Sequence, residues 1–184
     1  MIPIPKEMAK MGLEWERFSA IDNPVLPGSN EGSSYTHVEV LRGVEGPLFT
    51  FEDDVCFLIQ ARDLFDKAFA ELPEDWDMLY LGGNPKETQI RYSEHLFKSN
   101  GGIHCNHAIL YSEKARDYIL SNYDASIPGT PWYDHWLFVE GQKIMNCFIM
   151  SPMIAWQRPG YSDCRKDYMD YYIEMRSHEI HYMI

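Results

Sequence analysis

A chain of 184 residues, 45% hydrophobic and 24% charged, has the length and balance of one ordinary globular domain spanning 1–184, with enough chain to bury a sizeable core. Its formal net charge of −12 argues against nucleic-acid partners and anionic membrane surfaces, because both require a positive footprint. No apolar run approaches a bilayer span and no charged-then-apolar leader opens the chain, so the expectation is a cytoplasmic protein with reduced thiols and no integral membrane segment.

In chain order, Lys6 to Met11 reads as the end of a helix closed by Gly12. Leu13 to Ala20 alternates weakly, as a strand would. Asn23 to Glu31, rich in Pro, Gly, Ser and Asn, is a loop. Ser33 or Ser34 then caps a short helix to about Leu41, ended by Gly43. Gly46 to Phe51 is a short apolar segment of buried-strand character, and Glu52-Asp53-Asp54 follow it directly. From Leu58 to Leu72, apolar residues fall at three-and-four spacing, a strong helix signal stopped by Pro73.

Trp76 to Leu81 is a buried strand running into the sharp turn Gly82-Gly83-Asn84-Pro85. Lys86 to Gly102 is irregular and polar, the pattern of a mobile flap over a site. His107 to Tyr111 is a strand, and Ser112 caps a helix to about Asn122. Thr130 as N-cap with Pro131 at the first helical position opens a helix from Trp132 to about Glu140. Lys143 to Met150 and Met153 to Gln157 are short strands, and a last helix spans about Asp163 to His178. Strands alternating with helices imply an α/β sandwich with a mostly parallel sheet, whose ligands sit beyond the carboxyl ends of the strands.

The acids Glu52, Asp53 and Asp54 occupy such an end. Three adjacent carboxylates repel one another unless a cation sits among them, and hard divalent ions take carboxylate oxygens together with substrate phosphates. A solvated acidic turn before a helix is the competing explanation. An anionic small ligand approaching so acidic a chain needs a bound cation, which agrees with the metal reading. Of the four cysteines none forms a CxxC pair. A zinc site at His104, Cys105 and His107 is not expected, since neighbours on a strand point to opposite faces. Aromatics reach 14%, and Tyr and Trp suit sugar, base or partner surfaces, although packing accounts for most of them.

Several spaced segments resemble one family. Glu16 to Asp22 looks like its early strand. Gly32-Ser33-Ser34-Tyr35-Thr36-His37 resembles its "GC-x-x-S-H" helix start, with Ser33 for the cysteine and Thr36 for the serine. Phe51 to Val55 matches its "EDD" motif, and Trp76 to Gly82 its "WD-x-hydrophobic-x-x-LG". His107 to Ser112 resembles "HAY-x-x-S", Trp132 to Leu137 resembles "x-x-D-x-x-L", and Gln157 through Asp163 resembles the closing "Q-x-x-x-x-SD". The ordered set, from about residue 7 to 164, is similar to glycosyltransferase family 25, the lipopolysaccharide-type and collagen-type sugar transferases of the GT-A fold.

The resemblance implies a GT-A-like three-layer α/β sandwich and transfer of a sugar from a nucleotide-diphosphate donor to a glycan or other hydroxyl acceptor, aided by Mn²⁺ or Mg²⁺. By position it makes Asp54 and Glu52 the metal carboxylates. Glu52, Asp53, His37, Gly82 and Gly83 fall on the donor side, and Asp134 is the candidate general base. His135, Gln157, Ser162 and Asp163 fall on the acceptor side or behind it. Each has a plainer explanation: a macrodipole acid for Asp134, a satisfied histidine for His37, a tight turn for Gly82-Gly83, capping for Ser162 or Asp163. Trp132, Tyr133 and Trp136 are either a sugar-stacking platform or a packed helix face. The family's first strand with its "INL-x-x-R" motif has no counterpart, so the chain reads as a minimal form in which Arg42, Arg91 or Arg158 would meet the pyrophosphate. A non-catalytic nucleotide- or protein-binding module on a degenerate GT-A fold is the alternative, and a strand-edge or helix-face homodimer is open to either. A two-metal phosphohydrolase is the weakest reading, since the scattered His and Asp ligands it needs are missing.

Overall fold

The computed structural model describes residues 4–21, 31–162 and 166–183. Helix α1 (Ile4–Met11) buries Met8 and Met11 and ends at Gly12, whose φ of +61° is the left-handed stop expected there. Leu13 to Ala20 is not a strand: it is irregular, with Trp15 and Phe18 exposed, so its weak alternation meets no partner. Helix α2 (Glu31–Arg42) starts ahead of Ser33 and closes at Gly43, whose N–H donates to the Glu39 carbonyl.

Strand β1 (Leu48–Phe51) leads through the acidic turn into β2 (Val55–Phe57) and helix α3 (Ala61–Ala70), shorter than its apolar periodicity suggests. Then come β3 (Met78–Tyr80), β4 (Asn84–Pro85), β5 (Ile90–Arg91), β6 (Leu96–Lys98), β7 (Ile103–His104) and β8 (Ala108–Tyr111). Helix α4 (Glu113–Asn122) has the expected Ser112 cap, its Oγ accepting from the Ala115 N–H at 3.1 Å. Helix α5 (Tyr133–Trp136) continues through a π-type turn (Leu137–Gly141) into α6 (Gln142–Ile144). It begins at Tyr133 with Trp132 at the cap, while the Thr130 N–H closes a turn on the Ile127 carbonyl instead. Strands β9 (Cys147–Met150), β10 (Ala155–Gln157), β11 (Gly160–Ser162) and β12 (Asp167–Met169) precede helix α7 (Tyr171–Tyr182). The last helix thus starts later than expected, because the β11–β12 hairpin comes first.

The six-stranded sheet runs β1-β8-β3-β9-β6-β5. The expectation of a mostly parallel sheet is overturned: only β3 and β9 are parallel neighbours. Two insertions cause this. Strand β8 enters between β1 and β3, antiparallel to both, and β6 pairs antiparallel with β9. Strand β6 comes from 86–102, so that segment is not a flap; its Leu96 and Phe97 are fully buried. Even so β1, β3 and β9 all run in one direction, and their carboxyl ends share one edge of the sheet.

Side chains alternate across the strands. Met78, Tyr80, Ile109, Tyr111, Cys147 and Ile149 face one cluster with Val38 and Leu41 of α2, Ile119 of α4 and Trp136 of α5. Leu79, Leu81, Leu110, Phe148 and Met150 face the other, with Met8 of α1 and Phe65 of α3. The result is a mixed α/β arrangement of helix, sheet and helix layers. Among the described residues no helix is long and apolar enough to cross a membrane.

Candidate functional site

A cleft of about 750 Å³ opens where the chain leaves β1 and β3. One wall is the first turns of α2 (Ser33, Ser34, His37), the other the start of α5 (Trp132, Tyr133, Asp134, His135). Asn84, His104, Cys105 and Asn106 line it between these walls, with Glu52 and Gln157 on one side and Lys86, Tyr171 and Glu174 on another. The two walls are stitched together: the Tyr133 N–H donates to Ser34 Oγ at 3.0 Å, and the His37 ring stacks on Tyr133 at 4.9 Å. A smaller cavity of about 170 Å³ beside Met153, Trp156 and Met175 has no carboxylate in its lining.

The acids are placed by backbone pairing. The Glu52 N–H donates to the His107 carbonyl at 3.0 Å, extending the β1–β8 ladder by one residue. A tight turn follows, closed by the Val55 N–H on the Glu52 carbonyl. Strand β2 then pairs with β10 in a register that sets Gln157 opposite Val55. The Gln157 amide therefore reaches both acids, Nε2 donating to Glu52 Oε2 at 3.2 Å and to Asp54 Oδ2 at 3.3 Å. The other Asp54 oxygen, Oδ1, is buried with no partner.

This arrangement drives the two carboxyls apart. Burial and the neighbouring charges of Glu52 and Asp53 push Asp54 up to about 7, against the Gln157 hydrogen bond and the Arg158 charge. Burial also pushes Glu52 up, but the hydrogen bond and charge of His37, with the His107 ring, hold it below its ordinary value. His37 Nε2 lies 3.6 Å from Glu52 Oε1. A buried, partnerless oxygen beside a second acid is a donor set suited to a divalent cation, and Glu52 and Asp54 would be the residues to hold it.

Of the residues predicted from sequence, His37, Glu52, Asp134, His135, Gln157 and Ser162 come together around the cleft, while Asp54 is off its lining and is linked to Glu52 through the Gln157 amide. Asp53 is exposed and off the cleft lining, its carbonyl accepting from Arg158 Nη2 at 3.1 Å. Gly82 and Gly83 are buried and face protein: a Cβ on Gly82 would lie 1.9 Å from the Ala155 carbonyl oxygen, and one on Gly83 would lie 2.7 Å from Ile103 Cγ2. Close packing against the Ala155 backbone and the Ile103 side chain is thus sufficient reason for glycine at both positions. Asp163 lies outside the described residues. Asp134 Oδ1 accepts the His135 N–H at 2.7 Å, and His135 itself is exposed. Ser162 Oγ accepts from the Tyr171 hydroxyl at 3.4 Å. Trp132 is half-exposed at the cleft, whereas Tyr133 and Trp136 are buried, so packing claims two of the three predicted platform aromatics.

Of the arginines expected to meet a pyrophosphate, Arg42 and Arg91 sit elsewhere, and Arg158 stands at the acidic turn without lining the cleft. Arg42 pairs with Glu39, Arg91 lies 4.6 Å over the Phe97 ring, and Arg158 is tied to the acidic turn through its N–H and guanidinium. Among the described residues the cleft's lysine is Lys86, paired with Glu174 at 2.9 Å.

Sequence reasoning missed Asn84, Lys86, Cys105, Tyr171 and Glu174. Asn84 opposes His104 in the β4–β7 ladder and donates from Nδ2 to Cys105 Sγ at 3.2 Å. Burial pushes the Cys105 thiol up to about 12, with the charge of Glu52 adding to it, so it stays protonated. Cys105 also has a φ of +83°, unusual for a side chain with a Cβ. Gln142, buried below, fixes β7 by bonding both the N–H and the carbonyl of Ile103 and the Tyr80 hydroxyl. The available signal was Asn84 directly after the Gly-Gly at a strand end, which reads as mere turn chemistry. His104 stacks on Phe138 at 3.9 Å; burial holds its ring below the usual range while the charge of Asp134 opposes this.

A second acidic cluster lies elsewhere. Glu71, Glu94 and His95 bring potential metal-ligand atoms within 4.8 Å of one another. There Glu71 already accepts from Ser93 Oγ, from the His95 N–H at 2.9 Å, and contacts His95 Nδ1 at 2.6 Å.

No protein-family model matches the chain, and neither does any curated protein. Among solved structures the chain is similar to a mannose-1-phosphate geranyltransferase from Thermus thermophilus, at 10% identity and a TM-score of 0.38. The match covers 65% of this chain and 48% of that one, so the chain spans about half the length of that protein.

Proposed function

We propose that the chain is a metal-dependent transferase of GT-A-like build, moving a sugar from a nucleotide-diphosphate donor to a hydroxyl acceptor in this cleft. The observation that carries the reading is the pair Glu52 and Asp54, bridged by one Gln157 amide, with Asp54 Oδ1 buried and partnerless beside them. A divalent cation bound there would act as a Lewis acid toward the departing diphosphate. Asp134, across the cleft in the first turn of α5, is the carboxylate able to take the acceptor's proton. His37, stacked on Tyr133, stands 3.6 Å from Glu52, and its hydrogen bond and charge favour the ionised carboxylate. The walls of α2 and α5 would limit water around the reacting centre.

One observation favours a second reading. Among the described residues no arginine lines the cleft, so a module that binds a nucleotide or protein without turnover fits the same acids. The two readings part in a single experiment. With Mn²⁺ and a panel of nucleotide sugars, the melting temperature and slow donor hydrolysis are followed for the parent and Asp54→Ala. A shift together with hydrolysis supports the transferase. A shift with neither hydrolysis nor transfer to any acceptor supports the binding module. No shift with any donor, and no difference in Asp54→Ala, removes the transferase.

A further inference from the structure

Asn84 is 3% exposed, yet it lines the cleft, and its Oδ1 has no hydrogen-bond partner. Buried polar atoms in folded proteins are nearly always paired, so an orphan on a cleft-lining residue points to a partner that arrives with a ligand. The Asn84 Nδ2 is held by Cys105 Sγ at 3.2 Å, and β4 is fixed to β7 by the register Asn84↔His104. Cys105 holds this position at the cost of a left-handed backbone, the kind of strain that persists where surrounding structure imposes it.

The place matters as much as the orphan. The Cys105 thiol beside Asn84 feels the charges of both Glu52 and Asp134. Asn84 lines the same cleft as Glu52, the acid suited to the phosphate end of a donor, and Asp134, the carboxylate on the acceptor side. The Phe138-stacked ring of His104 is its neighbour across the ladder.

We propose that Asn84 is the residue that recognises the transferred group, its Oδ1 accepting a hydrogen bond from a ring hydroxyl of a sugar seated in the cleft that Glu52 and Asp134 also line. This rests on the transferase reading above and adds to it the residue that reads the moved sugar. An apolar group in the same place would cover Oδ1 and leave a buried acceptor unmade, which is costly. Sites built to bond a hydroxyl reject analogues that lack it far more strongly than apolar pockets reject an added one.

The test uses the full chain with Mn²⁺ and calorimetric titration of nucleoside diphosphates, the matching sugar nucleotides and methyl glycosides. The parent is expected to bind a sugar nucleotide more tightly than its diphosphate. Asn84→Ala should erase that gap, weakening the sugar nucleotide by roughly tenfold or more while leaving the diphosphate unchanged. Asn84→Ser, which keeps an oxygen, should retain part of it, and unchanged melting temperatures for both variants exclude a folding defect. A gap that survives in Asn84→Ala overturns the assignment while leaving the transferase reading intact. Diphosphates that fail to bind while a methyl glycoside binds, and is weakened by Asn84→Ala, overturn the donor reading but support Asn84. A protein that binds none of the probes overturns both.

Discussion

Two acidic clusters in this molecule look alike on composition and differ in what their oxygens touch. At the mouth of β1, Glu52 and Asp54 share one neutral amide, and Asp54 Oδ1 is left without a partner. At the end of α3, Glu71 accepts from Ser93, from the His95 backbone and ring, and so fastens the β5–β6 hairpin to the helix. The second cluster has the tighter ligand spacing and the histidine. The Glu71 oxygens are nonetheless met by protein, so this acid works as a staple. The first has needs that protein leaves open. On the proposed reading, satisfaction of individual oxygens, rather than the density of acids, separates a site from a tie.

The contrast is most directly broken at Glu52 and Asp54. Glu52→Gln or Asp54→Asn should lower any metal-dependent turnover by roughly a hundredfold or more, because a Lewis acid supplies several kcal/mol at the leaving group. The stabilisation of the protein by Mn²⁺ should vanish with it. Equal responses to Mn²⁺ in Asp54→Asn and the parent would sink the assignment.

Without a divalent cation the same pair gives a pH signature. The folded Asp54 carboxyl holds its proton up to about 7, against an ordinary value of 3.8. Folded protein therefore binds more protons than unfolded protein between those limits. Stability from this group is full below about pH 4 and is lost as the pH rises toward 7. Thermal melts across that range should fall with pH in the parent, and the slope should flatten in Asp54→Asn. Mn²⁺ at pH 7 should restore the parent.

How much of this was legible in the sequence follows from which forces are local. Caps, helix periodicity and strand ends were legible: Ser112, Gly12 and the apolar runs of β1, β3 and β8 act through neighbours in the chain. Pairing partners were not. Leu96 and Phe97 lie in a polar stretch, and only their place beside β9 makes them core. The sheet's antiparallel character arises the same way, from where β8 inserts rather than from any residue within it. At the cleft the acids announced themselves by charge, and Gln157, His37 and Asp134 came through the ordered resemblance. Asn84 did not, since a neutral amide after two glycines reads as a turn until its orphaned oxygen is seen.

The staple should answer to acid and to mutation in its own way. Burial pushes the Glu71 carboxyl up, but hydrogen bonds from Ser93 and His95 and the His95 charge hold it below its ordinary 4.5. Stability from this group is present above about 4.5 and is lost as the pH falls through the lower folded value. Glu71→Gln should cost about 1–2 kcal/mol near neutrality by weakening charge-assisted bonds, with no change in Mn²⁺ response. A chemical-denaturation series on parent and variant checks the first statement, and metal titration checks the second.

The smallest expected effect is the most discriminating. Glu94 is exposed and stands in the group of three only by proximity. If the cluster is a staple, Glu94 makes no bond on which the hairpin depends, and Glu94→Gln should change stability by less than about 0.5 kcal/mol. It should also leave Zn²⁺ and Mn²⁺ titrations superimposable on the parent. If the cluster held a cation, Glu94 would be one of its few ligands, and its loss would weaken binding clearly. A metal affinity that falls in Glu94→Gln, with Asp54→Asn unaffected, would exchange the roles of the two clusters, because it would show that a cation prefers oxygens already engaged by protein over one that is buried and bare.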